Sequence, residues 1–111
     1  MSLTEHQEQA IFVQWFRFQY PGIIIFAVPN GDYRNITTAN RLKKEGVLAG
    51  VPDLVILLDS GKVLFVEMKR IGGRLSDNQK STIKKMESLN HQVIVAFGAD
   101  DAIEKVREII K

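Results

Sequence analysis

After a polar start, apolar residues fall at Ile11, Phe12, Trp15 and Phe16. This three-to-four spacing predicts a helix. Thr4 followed by Gln7 supplies a capping box at its start, and Pro21-Gly22 ends it after Tyr20. Ile23 to Val28 is a short β-branched run of the kind that fills a strand covered on both faces. The text then turns polar. PNGDYRNITTANRLKKEG, from Pro29 to Gly46, reads as a loop holding one short helix, with Thr38 as N-cap and Gly46 as terminator. An excursion of this length in a small domain is often functional. Asp53 to Leu58 and Lys62 to Lys69 read as an antiparallel pair joined by Asp59, Ser60 and Gly61, with the glycine left-handed. Ser76 with Gln79 opens a second long helix reaching about Leu89, His91 to Phe97 supplies a fourth strand, and Asp100 begins a last helix that ends near Ile110. The order α-β-(α)-β-β-α-β-α predicts an α/β fold, a four-stranded mixed sheet flanked by helices. No repeat or low-complexity linker interrupts residues 1–111, which we read as one domain.

The strand pattern carries the chemistry. In KVLFVEMK, alternation puts Glu67 and Lys69 on one face with Val63 and Phe65. A three-residue loop pairs Leu58 with Lys62, and counting back sets Asp53 opposite Glu67. Opposed residues point to the same side, so two carboxylates and an ammonium converge. Adjacent carboxylates repel, and a divalent cation would reverse that cost. Mg²⁺ or Mn²⁺ suits such an oxygen set, with the backbone carbonyl of Met68 at the strand end as a further ligand. Lys69 is then placed to orient or deprotonate a water, or to stabilise charge on phosphorus oxygens. Glu8 lies among Ile11, Phe12 and Trp15, near the middle of the apolar stripe, and a carboxylate aimed at a core needs a partner. One partner would be the cation, directly or through water; otherwise Glu8 would pair with a nearby lysine or snorkel at the helix start. Glu5 lies nearer the edge of the stripe and is the weaker choice.

Composition narrows the alternatives. The chain has no cysteine, which removes disulfides, thiolate zinc sites and cysteine nucleophiles. Its two histidines, His6 and His91, are too few for a histidine-rich zinc site. No apolar run approaches the roughly 20 residues that cross a bilayer, so a soluble, cytoplasmic protein without a membrane partner is expected. Fifteen basic against thirteen acidic residues give a net charge of +2, compatible with nucleic acid without requiring it. The basic residues cluster in two places: Arg34, Arg41, Lys43 and Lys44, then Lys69, Arg70, Arg74, Lys80, Lys84 and Lys85.

Pro52-Asp53, a gap, then Glu67-Met68-Lys69 resembles the PD-(D/E)XK nuclease superfamily. The wider text, VPNG at 28–31, Arg34, NRLKKEGVLAGVPDL at 40–54, FVEMKR at 65–70 and GGRLSDNQK at 72–80, resembles the VRR-NUC family, in order over nearly the whole chain. The resemblance implies a restriction-endonuclease-like core, hydrolysis of DNA phosphodiester bonds, and dependence on Mg²⁺ or Mn²⁺. Asp53 and Glu67 match the family's metal-binding acids, and Lys69 its catalytic lysine. Short members from phages and bacteria resemble Holliday junction resolvases, so branched DNA, a bacterial or phage-infected cell, and a homodimer making two symmetry-related cuts are expected. Trp15, Phe18 and Tyr20 are candidates for that interface, although aromatics at helical spacing more often form core. Asn30, Arg34 and Arg41 match polar family positions; with Lys43, Lys44, Arg70 and Arg74 they are expected to grip the DNA backbone. Gln79 also matches, and its capping-box position explains it equally well. Two rivals remain. One is a DNA-binding module that never cuts, using residues 38–45 as a recognition helix; the other is a protein-interaction domain.

Overall fold

The structure is a computed structural model that describes residues 2–29 and 35–111. Its elements come in the expected order: α1 (Glu5–Gln19), β1 (Ile24–Ala27), α2 (Ile36–Lys44), β2 (Leu54–Leu57), β3 (Val63–Lys69), α3 (Asp77–Ser88), β4 (Gln92–Phe97) and α4 (Ala99–Ile109). The strands form one mixed sheet in the order β1-β2-β3-β4, antiparallel except for the parallel β3–β4 pair. Parallel neighbours need a crossover, and α3 provides it.

Local chemistry sets the helix ends. Thr4 and Ser76 each close a capping box, with Gln7 and Gln79 as the reciprocal partners. Helix α2 differs from expectation at its start. Asn35 is the N-cap, its Oδ1 accepting the N–H of Thr38 at 2.7 Å, so Thr38 stands inside the first turn. Asparagine is the stronger cap of the two. Gly46, at φ 102, ends α2 as expected: its N–H donates to Lys43 and that of Val47 to Leu42, a Schellman arrangement. The β2–β3 connection is a short 3-10 turn in which Ser60 as well as Gly61 is left-handed, where the sequence marked only the glycine.

Helices α1 and α4 cover one sheet face. Phe12 and Phe16 pack there with Leu54, Ile56, Leu64, Val66, Met68, Ile94 and Val106, all buried. On the other face, Met86 of α3 shares a hollow with Val55 and Phe65. That face thins toward β1. Ile24 and Phe26 are 60% and 43% exposed, so β1 is an edge strand covered on one side, not on both as its apolar run implied. An apolar run alone does not reveal which strand is last in the sheet. Among the described residues no helix is long and apolar enough to cross a membrane.

Candidate active site

Pairing of Leu54 with Val66 and of Leu57 with Val63 fixes the β2–β3 register. One step beyond Leu54 this register brings Asp53 opposite Glu67, as the three-residue connection requires. The main chain locks the arrangement: Met68 donates its N–H to Oδ2 of Asp53 at 2.9 Å, and Val28 donates to the carbonyl of Asp53 at 2.8 Å. Asp53 is thus pinned from both neighbouring strands.

Glu67 is fully buried. Its Oε2 accepts from Nε2 of Gln79 at 3.0 Å and lies 3.9 Å from Nζ of Lys69. Its Oε1 is buried with no hydrogen-bond partner. Burial first, then the charge of Asp53, push the Glu67 carboxyl up from 4.5 to about 9; Lys69 pulls the other way, and Glu5 adds to the rise. Without a cation, Glu67 therefore favours its neutral form at pH 7, where it escapes the repulsion of Asp53.

Lys69 follows Glu67 by two residues on the same strand face and is itself mostly buried. Its Nζ also lies 3.5 Å from Oε1 of Glu5, in the first turn of α1. Glu5, His6 and Gln9 of α1, with Asp53, Asn78 and Gln79, line one open cleft of about 530 Å³. Loop 49–51 forms another of its walls. Gly50, at φ 85, lies so close to α3 that a Cβ there would stand 2.5 Å from the carbonyl oxygen of Asn78, and Thr82 bonds the carbonyl of Ala49 at 3.0 Å.

Glu8 is not brought to this pair. It is buried, and its Oε1 accepts the N–H of Ala99 at 3.0 Å, at the start of α4. The partner it needed is a helix N-terminus, where orphan donors and the dipole favour an anion. The N-cap residue Gly98 has no side chain for the task. Glu8 also accounts for α4 opening at Ala99, one residue before the Asp100 expected. The acid that does approach Lys69 is Glu5, set at the edge of the stripe by the helical pattern; only the docking of α1 on β3 brings it near.

Of the expected DNA contacts, Arg41, Lys43 and Lys44 lie exposed in the last turn of α2, and Arg70 and Arg74 lie exposed beyond β3. Arg41 pairs with Glu45 at 3.9 Å, both largely in solvent, a contact of little energetic weight. Asn30 and Arg34 lie outside the described residues. Phe18 is 86% exposed, whereas Trp15 and Tyr20 pack against the core.

The donor set fits a hard divalent cation. Glu67 Oε1 is a buried oxygen in want of a partner, beside a second carboxylate held by its neighbour strands. Among the described residues no third His, Cys, Asp or Glu completes a preassembled group.

Residues 3–100 match the family described as the VRR-NUC domain. The chain is 39% identical over 51 residues to a protein of Acyrthosiphon pisum secondary endosymbiont phage 1 named "Putative nuclease p44". That match covers 46% of this chain and 55% of the relative, so it spans just over half of the relative's length. A solved structure named "VRR_NUC domain protein" is similar at 26% identity and TM-score 0.76, over 96% of this chain and 88% of that one. Another, named "VRR_NUC domain", shares the fold at 21% identity and TM-score 0.66, over 94% of each chain. With its register, its paired acids and this match over almost its full length, the chain belongs to the VRR-NUC domain family.

Proposed function

We propose that this protein is a Mg²⁺- or Mn²⁺-dependent DNA endonuclease that hydrolyses phosphodiester bonds in branched DNA. The observation that carries the reading is the fully buried Glu67, with one oxygen unpartnered, set against Asp53 and within 3.9 Å of Lys69.

Asp53 and Glu67 would hold the cation, together with the backbone carbonyl of Met68. A divalent ion there would supply positive charge against the phosphate as negative charge builds on it. The chain's own residues do the rest. Lys69, between Glu67 and Glu5, would orient a water or donate to a phosphate oxygen. Its burial strengthens either interaction relative to one in bulk water. The cleft of about 530 Å³ beside Asp53 is open to solvent. Exposed Arg41, Lys43, Lys44, Arg70 and Arg74 would hold flanking phosphates. Phosphodiester hydrolysis is so slow unaided that the site must lower its barrier by more than about 15 kcal/mol, and preorganised charge is the effect of that size.

A junction-cutting enzyme needs two symmetric cuts, so the proposal includes a homodimer. Exposed Phe18, Ile24 and Phe26 supply apolar surface of the kind an interface uses. The deciding experiment compares linear, flapped, forked and four-way DNA with Mg²⁺, Mn²⁺ and chelator, using wild type and Lys69→Ala, with the sedimentation of the free protein alongside. Metal-dependent cutting of branched substrates by a dimer is expected. Binding without product under Mn²⁺ would instead make the chain a non-cleaving DNA-binding module.

A further inference from the structure

Both ends of the Gln79 amide are engaged. Its Oε1 accepts the N–H of Ser76 at 2.8 Å, its backbone N–H donates to Ser76 Oγ at 3.1 Å, and its Nε2 donates to Oε2 of Glu67 at 3.0 Å. A capping box asks only for an acceptor at this position, and glutamate serves as well as glutamine. The cap accounts for Oε1 and leaves the donor end unexplained. Across from that donor, Glu67 has two oxygens in different circumstances: Oε2 is held, while Oε1 is buried and without a hydrogen-bond partner. The last torsion of a glutamate is broad, so an untethered carboxylate would not keep these two oxygens distinct. A lysine in place of the amide would tie Oε2 more tightly and would also oppose a cation. A neutral amide tethers the oxygen without that opposition.

We infer that Gln79 is a positioning residue: anchored to the Ser76 backbone and donating to Oε2 of Glu67, it fixes the carboxylate so that Oε1 is left for a divalent cation. The inference rests on the reading of Asp53 and Glu67 as a metal pair. It gives the α3 cap a second task, since the same amide that starts the helix sets the geometry of the acid on β3. Partners behind a metal ligand generally govern affinity by ten- to a hundredfold.

The test needs no DNA. Mn²⁺ is titrated calorimetrically into the full chain as wild type, Gln79→Met, Ser76→Ala and Asp53→Ala, and each variant's thermal midpoint is recorded. Gln79→Met should bind Mn²⁺ about tenfold more weakly or worse. Ser76→Ala, which weakens the cap and keeps the amide donor, should melt lower while binding within about twofold of wild type. Equal losses in both, or none in Gln79→Met, would reduce Gln79 to a helix cap. In wild type, Mg²⁺ should also shift the side-chain amide resonances of Gln79 with the calorimetric midpoint; unmoved resonances overturn the inference even if Gln79→Met does not fold. Wild type that takes up no Mn²⁺, or takes it up equally after Asp53→Ala, sinks the metal-pair reading and this inference with it. Undiminished uptake by Gln79→Met alone sinks only the inference.

Discussion

The N–H of Met68 donates to Oδ2 of Asp53 at 2.9 Å, so the strand that carries Glu67 also grips the acid that faces it. Charge and architecture can therefore be separated at Asp53. Asparagine keeps the acceptor for Met68 and loses the negative charge. Asp53→Asn is expected to melt close to wild type and yet lose at least about 100-fold in cleavage rate, as are Glu67→Ala and Lys69→Ala. Gel assays under Mn²⁺ with purified variants decide it, and full-rate cutting by Glu67→Ala would remove that residue from the mechanism.

The raised pKa of Glu67 has a thermodynamic signature. In metal-free protein the folded state keeps a proton on Glu67 up to about pH 9, while the unfolded chain releases it near 4.5. The folded state binds more protons between those values, so stability falls as pH rises through that window, by at most about 1.4 kcal/mol per unit, and levels off above it. Melting curves in chelator from pH 5 to 9 should show the decline, and Glu67→Gln should flatten it. Because the cation must displace this proton, Mn²⁺ affinity should rise with pH over the same range.

Glu8 offers the opposite case. Removing it strands the Ala99 N–H at the start of α4, so Glu8→Ala should cost about 1–3 kcal/mol in chemical denaturation. Mn²⁺ affinity should stay within about twofold. A large loss of metal binding with little change in stability would return Glu8 to the metal site.

Gly50 bears on the cleft wall. Its positive φ and the 2.5 Å that would separate a Cβ from the Asn78 carbonyl leave no room for even a methyl group. Gly50→Ala should destabilise the fold by about 1–3 kcal/mol and push loop 49–51 away from α3. Thermal midpoint and cleavage rate should fall together.

On the basic helix, Lys43→Ala and Lys44→Ala should weaken binding of DNA in chelator without altering the thermal midpoint. A lysine that neutralises one phosphate should, when replaced, lower the slope of log affinity against log salt by about 0.9. An unchanged slope would take α2 out of the DNA interface.

Much of this was legible before any coordinates. A period of two and the length of one connection put Asp53 opposite Glu67, because both are local properties of a hairpin. The two capping boxes were likewise written in residues three apart. What escaped depends on tertiary docking. Glu8 announced that it needed a partner, but its partner lies 91 residues away, where the first and last helices pack together. Glu5 carried no signal of its own, because nothing in the first helix tells which end of which strand it will meet. The bare side of β1 was hidden for a related reason: Ile24 and Phe26 read as core until the order of strands is known.

Strand β3 lies between β2 and β4, paired along both edges. Its amides should be among the slowest in the protein to exchange with deuterium, and Glu67 and Lys69 ride on that immobile beam. If the protein cuts DNA as proposed, any yielding that the substrate demands would come from the cleft's rim, at loop 49–51 and the first turns of α1 and α3, while Glu67 and Lys69 hold still.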